Sequence, residues 1–406
     1  MPSALADIRI LDLTRILAGP TCTQLLGDLG CDVIKIEKPG AGDDTRKWGP
    51  PYAPGKDGKD TDESAYYLAA NRNKRSVAID IATTDGQNLI RALLASSEVL
   101  VQNFKAGTLA RYGLDHASLK GAFPGLIYCS ISGFGQTGPY ADRAGYDYLA
   151  QGYGGIMSLT GAPDGEPMKV GVGIADIMCG MYASSAILAA LHHKGRSGEG
   201  QHIDLALLDT QVAWLANEGV NYLLSGKVPQ RLGNEHPNIV PYKRFDTADG
   251  EVVLAAGNDA QFRRFCRFAE AEDLSADPRF LGNPDRVRNR VALYALLVPI
   301  FRRKSSAEWV DGLTALGVPC GPVNDLAQVF EDKQVQHRGM RIDMPHPRAA
   351  SGTVPLLGNP IKMSATPPAY AKPPPYLGQH TDEVLRELLA LDDAELGRLR
   401  QEGVIG

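Results

Sequence analysis

Through the first half of the chain, short apolar runs alternate with stretches in which apolar residues recur every three or four positions. The runs at residues 8–13, 33–37, 76–81, 99–103 and 126–130 predict strands, and residues 21–30 and 85–97 predict helices between them. Regular alternation of this kind predicts an α/β fold in which helices cover both faces of a parallel sheet. Ligands in such folds lie at the carboxyl ends of the strands. Those ends carry Thr14-Arg15-Ile16-Leu17-Ala18-Gly19-Pro20, Lys38-Pro39-Gly40 and Asn103-Phe104-Lys105-Ala106-Gly107. None is a dinucleotide glycine fingerprint or a Walker lysine loop, so neither standard nucleotide pocket is predicted.

Residues 39–61 and 225–250 are rich in Gly, Pro and charge and read as excursions between elements. A second domain is predicted after residue 230, with a strand at 251–255 and helices near 260–271 and 291–301. Proline-rich residues 344–375 read as extended chain.

One acid interrupts a long run of apolar and small residues at 168–191, and it is Asp176. A carboxylate at a helix start has two readings. It caps the first turn by accepting orphan N–H groups, or it is a nucleophile held in apolar surroundings that exclude water. Residues 174–191 approach membrane-spanning length, but Asp176 and the small residues predict a buried helix of a soluble protein instead.

Two domains are expected of 406 residues. With 42 Lys and Arg against 47 Asp and Glu, the net charge of −5 offers no bulk attraction for nucleic acid or an anionic membrane. Cys22, Cys31, Cys129, Cys179, Cys266 and Cys320 are scattered without metal or disulfide spacing. No basic-then-apolar leader pattern precedes Asp7, so a cytoplasmic location is expected. No metal is expected, because His192, His193, His236 and His380 lack ligand spacing.

Asn71-Arg72-Asn73-Lys74-Arg75 is the densest cationic patch, either a solvated loop or a phosphate clamp that Lys38, Arg46, Lys105 and Arg111 would join. The glycines around Gly135 and Gln136 would let backbone amides approach a developing oxyanion, although a plain turn uses the same residues.

The ordered segments LDLTRILAGP, VIKIEKPGAGDDTR, NRNKRSVAIDI, VQNFKAGTLARYGL, IYCSISGFGQTGPY, RAGYDY, VGVGIAD, GQHIDLALLD, GNEHPNIVPY, GVPCGPVND and YLGQHTDEVL resemble the class III CoA-transferases. The resemblance runs from about Ile8 to the end of the chain. It implies Asp176 as the nucleophile, with CoA against Ile16, Leu17, Lys38, Asp80, Asn103, Phe104, Lys105, Arg111, Tyr146 and Asp147. With the cationic patch, Asn71, Arg72, Lys74 and Arg75 are added to the CoA contacts.

The implied architecture is a Rossmann-like large domain at 1–205, a linker at 206–230, a small α/β domain at 231–324 and an extended C-terminal return at 325–406 packed on the large domain. Two such chains would interlock as a homodimer. The CoA thioester is a substrate, and no tightly bound cofactor is expected. Asp176 would attack the thioester to give a mixed anhydride, and the thiolate would then convert this to an aspartyl-CoA thioester that an acceptor acid resolves.

Two departures narrow the expected chemistry. Leu17 stands where formyl-CoA transferases carry glutamine, and their covering glycine run is missing, which disfavours formate and oxalate. Tyr146 stands where the racemase branch carries histidine, and a phenol, far less acidic than imidazolium, is a poor substitute near neutrality. The spans ESAYYLAANRNKRS, GNEHPNIVPYKRFDTADG and AAGNDAQF are most similar to the dicarboxylate-using branch, the succinyl-CoA:glutarate CoA-transferases. For the distal carboxylate the candidates are Arg46, Arg72, Asn234 and His236, with Gly135 and Gln136 nearby. Racemisation, transfer to a monocarboxylate and non-enzymatic CoA binding are the competing readings.

Overall fold

Strands β1 (Arg9–Asp12), β2 (Asp32–Glu37), β3 (Lys74–Ala78), β4 (Val99–Gln102), β5 (Ile127–Ser132) and β6 (His202–Ala206) form one parallel six-stranded sheet in the order β3-β2-β1-β4-β5-β6. The computed structural model describes residues 3–406. The five predicted strands are all present. The sixth, β6, is not among the predicted strands; its five residues run straight into the apolar helix that follows.

Helices pack on both sides of the parallel sheet, so its central strands carry apolar residues on both faces. On one face Leu11, Ile34, Leu100 and Tyr128 pack with Leu89, Ile90 and Leu93 of helix α2 (Thr84–Leu94) and with Val384 and Leu396 near the C-terminus. On the other, Ile10, Val33, Val101 and Ile127 pack with Cys22 and Leu26 of α1 (Ala18–Asp28) and Cys179, Ala183 and Ile187 of α4 (Ile174–Ser197). Truncating one such leucine or isoleucine to alanine costs about 2–5 kcal/mol.

Between α2 and α4 lies the short helix α3 (Asp147–Tyr153). Helix α4 is long and apolar enough to cross a membrane, and here one side of it is core. It crosses α1 at Gly180, where a Cβ would lie 2.5 Å from the Ala18 carbonyl oxygen.

Residues 207–225, expected as linker, form helices α5 (Leu207–Ala213) and α6 (Ala216–Ser225). The chain divides into two units: the first holds everything through Ile156 together with Lys169–Gly226 and Lys333–Gly406, and the second holds Met157–Met168 and Lys227–Asp332. Residues 333–406 contain a hairpin at Arg341–Pro345 and Thr353–Leu357, then irregular chain, then helices Thr381–Leu389 and Asp393–Gln401, so only part of this return is extended.

In the second unit, β7 (Tyr242–Asp246), β8 (Glu251–Ala255) and β9 (Cys320–Pro322) form an antiparallel sheet. Its core stacks Phe245 on Phe301 and closes over Trp309, whose Nε1 donates to the Phe301 carbonyl at 2.8 Å.

Candidate active site

Asp176 is the third residue of α4 and only 7% exposed. It does not cap the helix. Asp147 Oδ1 accepts the N–H groups of Ala175 at 2.8 Å and Asp176 at 3.3 Å, while its Oδ2 accepts Gln151 Nε2 at 2.7 Å. Gln151 in turn accepts the Val170 N–H, tying the preceding loop to α3. Another residue thus satisfies the first turn, and among the described residues the Asp176 carboxylate accepts no hydrogen bond that would quench it. Burial, and then the charge of Asp147, push Asp176 up to about 7, so its anion is held at a cost that favours attack on an electrophile.

The neighbouring wall is the loop from β1 into α1. Each of its backbone polar groups from Thr14 N to Ile16 N meets a side chain. Asp12 Oδ1 accepts Thr14 N at 2.8 Å, and Lys35 Nζ donates to Thr14 O at 2.8 Å. Asn103 accepts Arg15 N at 2.9 Å and donates to Arg15 O at 2.6 Å; Asp43 Oδ1 accepts Ile16 N at 3.2 Å. Ile16 sits at φ 72°, a left-handed conformation that costs a β-branched residue on the order of 1–3 kcal/mol.

These elements enclose a cleft of about 470 Å³ at the carboxyl ends of β1 and β4, where the strand order reverses. Of the predicted residues it brings together Ile16, Asn103, Phe104, Lys105, Tyr146 and Asp176. Arg15, Asp44, Trp48 and Arg143 also line it and were not predicted. Trp48, an exposed indole in a Gly/Pro excursion, and Arg143, inside the segment RAGYDY, were the available signals. Gly133 and Gly145 cross so closely that a Cβ on Gly133 would lie 2.4 Å from the Gly145 Cα. Tyr66, edge-on to Trp48 at 5.2 Å, is pushed up to about 12 by burial and then by the charge of Asp176, which keeps its hydroxyl a donor.

Several predicted contacts are corrected by burial. Asn71, Arg72, Lys74 and Arg75 are not a solvent-facing clamp. Arg72 grips Asp28 through two hydrogen bonds, of 2.9 and 2.6 Å, and donates to the Leu357 carbonyl. Lys74 Nζ donates to Asp12, Asn71 and the Pro20 carbonyl, and burial brings it down to about 8. Arg75 pairs with Asp32 and Glu387.

Arg46 is likewise taken: it binds both Glu37 oxygens, the Tyr67 hydroxyl and the Pro375 carbonyl. Asp147, expected against CoA, turns its carboxylate to the α4 terminus. Asp80 Oδ1 accepts the Ala82 N–H. Leu17 sits at the α1 N-cap position beside the cleft, and Lys38 and Arg111 are exposed outside its lining. Gln136 lines a separate cavity of about 200 Å³ with His116 and His202, and Gly135 precedes it at φ 89°. Asn234 and His236 belong to the second unit, where His236 Nδ1 accepts the Asn238 N–H.

A Rossmann-ordered sheet thus presents a buried carboxylate in the cleft at its switch point, the place where α/β folds bind their ligands. The chain matches CoA-transferase family III over residues 5–381 and belongs to that family. It is 50% identical to succinate–glutarate CoA-transferase of Agrobacterium fabrum, over 96% of each chain. It is 42% identical to succinyl-CoA:glutarate CoA-transferase of Homo sapiens, over 99% of this chain and 90% of that one. A solved CaiB/BaiF family protein from Brucella suis superposes with a TM-score of 0.83 at 47% identity, covering 96% of this chain and all of that one. The protein is therefore a transferase of acyl-CoA and carboxylic acid substrates.

Proposed function

We propose that Asp176 is the covalent nucleophile in CoA transfer from succinyl-CoA to a short dicarboxylic acid such as glutarate. The observation that carries this reading is a buried carboxylate left without a hydrogen-bond donor while Asp147 takes its capping role. An Asp176 oxygen attacks the thioester carbonyl carbon, the carbon–sulfur bond breaks, and CoA leaves as thiolate. The thiolate attacks the aspartyl carbonyl, the anhydride carbon–oxygen bond breaks, and succinate departs. The acceptor carboxylate then reverses the two steps with no net proton change.

Lys105, exposed in the cleft, and Arg143 are offered to CoA phosphates, and Arg15 joins them while paired with Asp44 at 2.8 Å. The substrate pair is supported by similarity to the Agrobacterium and human enzymes, whose names give succinate and glutarate.

The working unit is a homodimer in this reading. Leu223 and Leu224 on α6 are 79% and 84% exposed, and Met181 and Leu188 on α4 are 36% and 38% exposed, an apolar surface that a second copy would cover. Six free cysteines accord with the reducing cytoplasm as its location.

Incubation with succinyl-CoA followed by borohydride reduction should modify Asp176, and glutaryl-CoA should form from added glutarate. Undiminished exchange by Asp176→Ala would refute the nucleophile, and preference for monocarboxylic acids would refute the substrate class. Mass in solution by light scattering tests the dimer.

A further inference from the structure

The loop that lines the cleft beside Asp176 does not hold itself. Helix α1 starts at Leu17 without a side-chain cap, and Ile16 before it is left-handed. A free isoleucine leaves that region readily, because its branched Cβ crowds the backbone there. Beneath the loop lies an ion pair, Lys35 Nζ to Asp43 Oδ2 at 2.9 Å, with both side chains wholly buried. Its two ends grip the backbone on either side of Arg15: the ammonium donates to the Thr14 carbonyl, and the other carboxylate oxygen accepts the Ile16 N–H. Asp43 is itself steadied by the Thr45 N–H and hydroxyl, and its own N–H donates to Glu37. A buried ion pair is poor ground for stability, since apolar residues of similar shape often do as well. Its value here is geometric.

We propose that Lys35 and Asp43 are positioning residues for acyl transfer, a buried ion pair that clamps Thr14 and Ile16 and holds the left-handed turn against which the reacting thioester is aligned. The proposal rests on the reading of the Asp176 cleft as the transfer site. Neither residue touches substrate. Both act through Ile16, and reaction rates are steeply sensitive to displacement of such a wall.

The test is a double-mutant cycle on the purified full chain, with exchange rates normalised to folded protein by circular dichroism. Asp43→Ala is expected to lose at least 30-fold in rate and to raise KM for the acyl-CoA. Ile16→Gly, which removes the penalty on the left-handed turn, should lower the rate in the native background yet raise that of Asp43→Ala at least threefold. A role in folding alone would leave the rate per folded molecule near native, and a contribution independent of the Ile16 turn would make the two losses multiply. If Asp43→Ala does not fold, Asp43→Asn, which keeps an acceptor but breaks the ion pair, carries the same comparison with a smaller loss.

Rates within threefold of native for the Asp43 variant, or losses that multiply, overturn the clamp. Should Asp176→Ala stay active as well, the cleft assignment falls, so the two failures are distinguishable.

Discussion

Replacing Asp176 by asparagine should stabilise the protein while abolishing transfer. The carboxyl has an ordinary value of 3.8 and is pushed up to about 7 by burial and by Asp147. Because the folded-state value lies above the unfolded one, the native state binds the extra proton. The penalty is absent below the unfolded value, grows as pH rises between the two, and is complete above about 7. Linkage over that interval gives a cost of about 2 kcal/mol at pH 5 and about 4 kcal/mol at pH 8. Asp176→Asn nearly conserves shape and removes the titration, and solvent screening is slight at 7% exposure. Denaturant unfolding of both proteins at pH 5 and pH 8 measures the difference. A gain that widens by about 2 kcal/mol between the two pH values is expected. A variant no more stable than the native protein at pH 8, or a gain that does not change with pH, would refute the claim that this acid is ionised at a cost.

The same shift predicts that kcat/KM rises with pH through an acid limb near 7, and Asp147→Asn, by removing the second cause, should move that limb to lower pH in a pH-rate profile. Lys105→Gln should raise KM for the acyl-CoA several-fold, an effect shrinking in 0.5 M salt, whereas Arg72→Ala should cost about 3–5 kcal/mol in unfolding by leaving the buried Asp28 carboxylate to the Asn73 and Asn359 amides without its ion-pair partner, and leave KM of the folded enzyme unchanged. Gly180→Ala gains up to about 1 kcal/mol of helix propensity but drives a methyl to within 2.5 Å of the Ala18 carbonyl oxygen, so a net loss of about 1–3 kcal/mol in thermal or denaturant unfolding is expected.

Local pattern was sufficient for elements whose partners are neighbours in the chain. Alternating apolar runs reported five of the six parallel strands, and the strand ends they defined carry Ile16, Asn103, Phe104 and Lys105, which do meet at the switch point. One acid in an apolar run was likewise visible as chemistry waiting for a place. Whether Asp176 caps its own helix was not readable there. Asp147, 29 residues earlier, folds back to take that place.

Charge in the sequence was the least reliable guide to function. Asn71 to Arg75 and Arg46 look like a phosphate clamp because composition assigns charges to solvent or ligand. In the tertiary structure the C-terminal return lies over them. Arg46 meets the Pro375 carbonyl 329 residues away, Arg75 meets Glu387, and Asn73 meets the Ala369 carbonyl. Burial is a property of whatever chain covers a residue, and a segment three hundred positions distant leaves no trace in the local periodicity. The sequence determined which residues could bear charge and where the strands would run. Only the closing of that distant segment decided which charges hold the fold and which still face the substrate.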